Sequence, residues 1–301
     1  MTHGHYPIYA ACCYSSPMTE SGFNTSKPLS ISKPLSISMV LYRSCLQNVR
    51  TTLESLIIAL QNVNLSASIT IVDQSLDKQY ASDIQTLCEA FSADPRLIVE
   101  LVVTGDNRGY GAGHNRALLG SDSDLHLILN PDVKLDPEAL VRATALFQDQ
   151  PGLVLLAPRS VDISGREDFI AKGYPSVLVL ALRAFAPNWL QGLFRNRLAA
   201  YELQHLPTSG APQAVTLVSG CCMWVRGDAL RAVRGFNEDY FLYFEDYDLS
   251  LRLAEHGKVM RAPNVLITHF GGNAARKGFR HIGWFAAGGW RFFSQWGWKF
   301  F

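Results

Sequence analysis

Five carboxylates lie within eleven consecutive positions: Glu238-Asp239, then Glu245-Asp246 and Asp248, with Tyr240, Phe241, Tyr243 and Phe244 between and beside them. Carboxylates among aromatic rings are costly to bury unless paired or bound to a cation. They are therefore candidates for proton transfer or ligand binding. Glu245, Asp246 and Asp248 would equally suit the first turn of a helix, where the macrodipole favours acids. A helix over Asp246–His256 places Leu249 and Leu253 on a buried face and pairs Asp248 with Arg252 at i,i+4. Asp246 then faces away from that pair, where aromatic surroundings would suit its pKa to deprotonating a hydroxyl. Downstream, His269 precedes Gly271-Gly272, as a metal ligand or a packed core histidine.

The elements that must position these groups alternate. Strand Ile37–Tyr42 leads to a helix near 46–63, whose apolar stripe is Val49, Leu53, Leu56, Ile57 and Leu60. A second strand, Ile69–Asp73, ends in an acid. A helix over 81–91 and strand Leu97–Val103 follow. A glycine-rich loop from Gly105 to Gly113 opens the next helix, and strand Leu125–Leu129 ends at Asn130-Pro131-Asp132. A helix from Pro137 to Phe147 and strand Leu153–Ala157 complete a βαβαβαβ pattern, which predicts an α/β fold: a doubly wound, mostly parallel sheet. Ligands of such sheets bind beyond the carboxyl ends of the strands. Asp73, Asp106-Asn107 and Asp132 all fall there. From Arg159 to Gly210 the pattern becomes irregular, with one or two helices. A strand over 215–225 and a short helix over 229–233 then lead into the acidic stretch.

Gly109-Tyr-Gly111-Ala-Gly113-His114 fails as a dinucleotide fingerprint, because the third glycine of GxGxxG falls on His114. Its glycines would let backbone approach a phosphate or sugar at a helix N-terminus, or simply make a turn. Asp132, stiffened by Pro131, suits a magnesium or manganese shell completed by phosphate oxygens and water. It also suits an Asx-type turn.

The 301 residues carry a net charge of +1, so no global field recruits nucleic acid. Cys12, Cys13, Cys45, Cys88, Cys221 and Cys222 make no CxxC pair and no zinc spacing; this usage fits a reducing cytoplasm. The expected localisation is cytoplasmic, with peripheral contact at the cytoplasmic face of a membrane. No basic-then-apolar leader and no bilayer-length apolar run are evident. Residues 1–34 read as a disordered leader containing a tandem Lys-Pro-Leu-Ser-Ile-Ser repeat. Residues 271–301 read as a basic, aromatic tail. Trp284, Trp290, Trp296 and Trp298 interleave there with Arg291 and Lys299, suiting an anionic membrane surface at ~1 kcal/mol per basic residue. The other reading packs these aromatics on the domain or on a second copy.

Together these motifs resemble, in order and from about Ile37 to the C-terminus, the inverting GT-A glycosyltransferases of family 2, especially bacterial rhamnosyltransferase-like members. Ile71-Val-Asp73 with Ser75 looks like the family's nucleotide-binding VDNxS segment. Asp106-Asn107-Arg108-Gly109 through Asn115 looks like its NxGfaxaxN segment, and Leu129-Asn130-Pro131-Asp132 its DxD-type metal motif. Gly235-Phe236-Asn237-Glu238, then Tyr243-Phe244-Glu245-Asp246-Tyr247-Asp248-Leu249, matches the long GGFdexFFmYfEDvDl block. The resemblance implies residues 35–270 as the GT-A domain, with 35–158 binding the nucleotide-sugar and 159–270 the acceptor.

By the same resemblance Asp246 is the catalytic base, and Tyr42, Asp73, Ser75, Asn107, Arg108, Asn115 and Asp132 line the donor site. Asp132 and His269 would hold Mg2+ or Mn2+, and Gly220, Trp224 and Glu245 would lie on the acceptor side. The implied donor is dTDP-rhamnose or a UDP-sugar. The implied acceptor is a glycan or lipid-linked glycan of cell-surface polysaccharide or lipopolysaccharide synthesis. Gln74 stands where the family has Asn, Asn130 replaces the first acid of a full DxD, and Leu41-Tyr42-Arg43 replaces Thr-Tyr-Asn. A nucleotidyltransferase and a non-catalytic sugar-nucleotide-binding protein are the competing expectations. The former would need a glycine-rich basic loop after the first strand, and residues 42–48 contain no glycine.

Overall fold

The computed structural model describes residues 29–63, 65–118, 121–271 and 279–301. The expected leader lies almost wholly outside them. Four strands form a parallel block: β1 (Leu35–Leu41), β2 (Ala67–Asp73), β3 (Leu97–Val103) and β4 (Leu125–Leu129), ordered β3-β2-β1-β4. Helices α1 (Leu46–Gln61), α2 (Lys78–Phe91) and α3 (Tyr110–Leu118) connect them. β1 is buried at all seven positions, as a central strand covered on both faces must be. Its two serines are satisfied internally. Ser36 Oγ lies 2.6 Å from His126 Nδ1, and Ser38 Oγ lies 2.8 Å from His126 Nε2 and 2.7 Å from His114 Nδ1. That chain satisfies both serines and both nitrogens of His126, and leaves His114 Nε2 buried without a partner.

Beyond β4 the sheet becomes mixed. β5 (Val133–Leu135) and α4 (Ala139–Asp149) precede β6 (Leu153–Val161), β7 (Glu167–Asp168) and the short β8 (Ala171–Lys172). Three helices rather than one or two follow: α5 (Val177–Phe185), α6 (Asn188–Leu193) and α7 (Arg195–Tyr201).

The single strand expected over 215–225 is broken into β9 (Gln213–Ala214), β10 (Leu217–Val218) and β11 (Cys222–Arg226). β11 inserts antiparallel between β4 and β6, while β10 leaves the main sheet to pair with β8. The break at 219–221 carries the backbone from one sheet to the other. Next come α8 (Gly227–Ala232), α9 (Glu245–Ala254), β12 (Lys258–His269) and α10 (Phe279–Trp296). The main sheet then reads β3-β2-β1-β4-β11-β6-β12-β5.

Of the expected tail, residues 279–301 are packed on the domain. α10 buries Phe292 and Phe293 against Tyr240, Phe244, Val179 and Tyr201. Its last turn is tied down by Asp248, whose Oδ1 accepts from Gln295 Nε2 at 2.9 Å and Trp296 Nε1 at 3.0 Å. Phe285 and Trp296 are partly buried against the same cluster, while Trp290 and Phe301 stay in solvent, 68% and 76% exposed.

Candidate active site

The acidic stretch converges on one carboxylate. Tyr243 and Phe244 both take left-handed backbone conformations, with φ of 73° and 68°, costing about 1–3 kcal/mol each for residues of this kind. This double kink starts α9 without a side-chain cap and aims Glu245 and Asp246 in different directions.

Asp246 is half-buried. Its Oδ2 accepts from the Gly220 amide and its Oδ1 from the Tyr247 amide, both at 2.9 Å. Burial raises its pKa to about 6, although these amides pull the other way. Glu245 is only 4% exposed, with Oε2 buried and unpartnered. Burial first, then the charge on Asp246, pushes its pKa well above the ordinary carboxylate range. Of the pair, Asp246 is the ionised member and Glu245 the neutral one, because only Asp246 has donors facing it. Glu245, expected on the acceptor side, is thus a neutral, buried acid beside Asp246.

Asp248 is fully buried and bound by Arg252 Nε at 2.8 Å as well as by α10. Glu238 pairs with Arg108 at 3.2 Å. Asp239 pairs with Arg291 at 2.7 Å. Five acids thus reduce to one positioned for proton transfer.

Across the strand ends, Asp132 and His269 meet. His269 Nε2 lies 3.6 Å from Asp132 Oδ1, while Nδ1 lies 2.9 Å from Asp168 Oδ2. Burial lowers the His269 pKa, but the two acids outweigh it and lift it to about 9. Asp132 Oδ1 is buried with no hydrogen-bond donor. A carboxylate oxygen left bare beside an imidazole nitrogen, whose other nitrogen is held by a second acid, is the arrangement that orients a histidine toward a cation. Among the described residues no group of three or more Asp, Glu, His or Cys side chains could hold a metal ion. Further ligands would have to be diphosphate oxygens and water, as is usual for magnesium.

The donor-side residues divide. Asp73 Oδ1 accepts from the Ser75 amide at 2.9 Å, and its Oδ2 is buried and unpartnered. Ser75 Oγ accepts from the Arg43 amide at 2.8 Å. Tyr42 beside them is 57% exposed. Asn107 Oδ1 accepts from the Gly109 amide at 3.0 Å, shaping the turn before α3.

Asn115 is spent on structure rather than lining a donor pocket. Its Oδ1 accepts from Phe236 N at 2.8 Å, and its Nδ2 donates to Phe236 O at 2.9 Å and Glu238 Oε1 at 3.1 Å. Trp224 lies wholly inside the core, 0% exposed, and supports the acceptor-side floor from beneath. Gly220 remains at the site, through its amide. Gly109, with φ of 97°, has a role different from phosphate contact: a Cβ there would collide with the Phe241 carbonyl. That carbonyl accepts from Tyr110 N at 3.1 Å, joining the glycine-rich turn to the acidic stretch.

Four contributors were missed. Gln74 bridges the glycine-rich turn, accepting from Arg108 N at 3.0 Å and donating to Gly109 O at 2.9 Å. The Tyr110 hydroxyl lies 2.6 Å from Gly220 O and 3.0 Å from Asn130 Oδ1, linking both sides of the cleft. Asp168 holds His269, and the Tyr201 hydroxyl lies 2.6 Å from that of Tyr247. Tyr110 and Gln74 sit inside motifs already singled out. Asp168 and Tyr201 lie in the stretch read as irregular, and no spacing marks them.

No protein-family model matches the chain. It is 32% identical over 184 residues to the N-acetylglucosaminyl-diphospho-decaprenol L-rhamnosyltransferase of Mycobacterium tuberculosis, a match covering 57% of this chain and 58% of that relative. Solved structures with similar folds include GalNAc-T7 with UDP, GalNAc and Mn2+ (TM-score 0.57, 12% identity, covering 79% of this chain and 44% of that one). A mannosyltransferase from Pyrobaculum calidifontis in complex with GDP-Man and Mn2+ gives a TM-score of 0.53 at 14% identity, over 85% and 61% of the two chains. The chain has the GT-A glycosyltransferase fold and is related in sequence to a mycobacterial L-rhamnosyltransferase.

Proposed function

We propose that this protein transfers a sugar, rhamnose in the first instance, from a nucleoside-diphosphate donor to a hydroxyl of a glycan or lipid-linked acceptor, with inversion. The observation that carries this reading is Asp246: one carboxylate, fixed by two amides, with a pKa raised to about 6. Such a group is ionised at neutral pH yet basic enough to accept a proton as it is shed.

In the proposed step Asp246 takes the acceptor hydroxyl proton. The acceptor oxygen forms a bond to the anomeric carbon as the bond from that carbon to the diphosphate oxygen breaks on the opposite face. The diphosphate leaves with the electron pair. The Gly220 and Tyr247 amides hold Asp246 in place, and the Tyr110–Gly220 contact fixes the floor beneath it. Asp132 and His269 fit a divalent ion, Mg2+ or Mn2+, which when bound would neutralise charge on the departing diphosphate.

Two structural relatives are described with Mn2+ and sugar or nucleotide ligands, and the sequence relative's name specifies a diphospho-decaprenol acceptor. Both support the reading. The exposed aromatics Trp290, Trp298, Phe300 and Phe301 support peripheral contact with the cytoplasmic face of a membrane carrying such an acceptor. No helix among the described residues is long and apolar enough to cross a membrane.

A donor panel of dTDP-rhamnose, UDP-hexoses and GDP-mannose, presented with lipid-diphosphate-linked N-acetylglucosamine, tests the assignment. Nucleotide release that depends on acceptor, with product of inverted anomeric configuration, is expected from dTDP-rhamnose. Retention of configuration, or release from none of the donors, would sink it.

A further inference from the structure

Outside the cleft residues already described, one charged cluster has no part in the proposed transfer. Lys172, on β8, is 6% exposed. Its Nζ lies 3.7 Å from Glu202 Oε1, and the Arg183 guanidinium of α5 lies 3.4 Å from the same oxygen. Both cations also rest against the Tyr201 ring, at 5.6 and 5.4 Å from its centroid. Two cations therefore share one carboxylate. Burial first, then repulsion from Arg183, lowers the Lys172 pKa to about 8. Glu202 and Asp168 both favour the charged form of Lys172, and the half-exposed Arg183 leaves the cluster open to a further anion.

The cluster is wired to the base. β8 pairs with β10, which ends at Val218, two residues before the Gly220 amide that holds Asp246. On the other side, Tyr201 meets the hydroxyl of Tyr247, the residue after Asp246. Arg183 remains 40% exposed at its side chain, so the cluster opens to solvent at one end. Just beyond it along the chain stand Phe185, Trp189 and Leu193, which are 62, 70 and 73% exposed. Large apolar side chains left in water on the segment that follows Arg183 suit a ligand that is anionic and then hydrocarbon.

We propose that Lys172 and Arg183, backed by Tyr201, bind the diphosphate of the acceptor, with the hydrocarbon running over Phe185, Trp189 and Leu193. The assignment rests on the transfer reaction proposed above. It assigns the sugar to Asp246, the diphosphate to the cation pair and the lipid to α5 and α6, three neighbouring places for one molecule. Arg183 supplies a planar fork of donors for phosphate oxygens, and Lys172 a point charge. The same chemistry could be offered by the diphosphate of the departing nucleotide, and the experiment separates the two.

The full-length protein is assayed with two acceptors bearing the same sugar, one as a lipid diphosphate and one as a neutral alkyl glycoside. For Arg183→Gln we expect KM for the diphosphate acceptor to rise about tenfold, as loss of a charge-assisted phosphate contact does. Its kcat should stay within about twofold, and the neutral acceptor should be unaffected. Arg183→Lys should recover part of the loss. Equal changes with both acceptors would mean that the cluster only braces α5 and α7, and would overturn the proposal. A second arm titrates inorganic pyrophosphate into protein saturated with nucleoside diphosphate and Mn2+. Binding that persists under saturation and weakens in Arg183→Gln supports the site. Binding abolished by the nucleotide, or indifferent to Arg183→Gln, assigns the anion to the donor side and overturns it. Absence of transfer to either acceptor would refute the reaction instead, and the pyrophosphate arm would still decide the site.

Discussion

The parallel block and the half that follows β4 are built on different principles. In β3-β2-β1-β4 the register is regular, and β1 is buried along its whole length and β2 along most of it. Its functional groups sit at strand ends because the topology leaves nowhere else for them. The second half has short strands that change sheets, an aromatic pair in left-handed conformations, and a terminal helix clamped on top. In the proposed function the first half would bind the donor, and the second, with left-handed residues at two consecutive positions, would hold the reacting carboxylate, an arrangement in which packing elsewhere compensates for local strain.

That contrast can be broken experimentally. The largest effect is expected from Asp246→Asn, which should lower kcat by about 10²–10⁴ while nucleotide affinity, set by the parallel block, is unchanged. Near wild-type turnover would remove Asp246 from the mechanism. Next, Asp168→Asn should weaken apparent affinity for the activating divalent ion by about 10–100-fold, by releasing His269. An unchanged metal titration would mean that His269 needs no orienting partner.

Gly288→Val tests the clamp. A Cβ at Gly288 already falls 2.9 Å from Tyr243 O and 3.1 Å from the Phe244 ring. Overpacking there should cost about 1–3 kcal/mol in unfolding free energy and reduce kcat without altering nucleotide binding. Loss of both together would show that the halves are not separable.

The pH profile is a smaller test. Because Asp246 works ionised and its pKa is raised to about 6, activity should climb between about pH 5 and 7 and level above. A raised carboxylate pKa favours the folded state at low pH, and that contribution is lost as pH rises through 6. Asp246→Asn should therefore raise the melting temperature at pH 8 but not at pH 4. The smallest effect is expected from Glu245→Gln, since that acid is already neutral: activity within about twofold and an unmoved profile midpoint.

Legibility followed the same division. Strands β3 and β4 lie where the periodicity puts them, at 97–103 and 125–129. β4 is buried at all five positions, whereas β3, equally apolar, is the edge strand and is buried only at Leu97. Asp73, Asp132 and Asp246 were readable because strand ends and a long motif mark them. The bonds of Asn115 to Phe236 were not readable, because a motif records which residues recur, not which way a side chain turns. Asp168 and Lys172 left no local signal at all. Each lies in a two-residue strand, and its meaning comes from His269 or Arg183, which arrive from elsewhere in the chain. The aromatic tail is divided, with Phe292 and Phe293 packed on the domain and Trp290 and Trp298 left exposed.

The bond from Asp248 to Gln295 and Trp296 spans 47 and 48 residues. Loop closure over that length must precede any reward from the contact, so α10 should dock after the parallel block has formed. The left-handed turn at Tyr243-Phe244 then has nothing to hold it until late. In native-state hydrogen exchange, α9 and α10 should open together as one unit, at lower free energy than β1, β2 and β4. The catalytic geometry would then be the last part of the protein to appear during folding and the first to be lost.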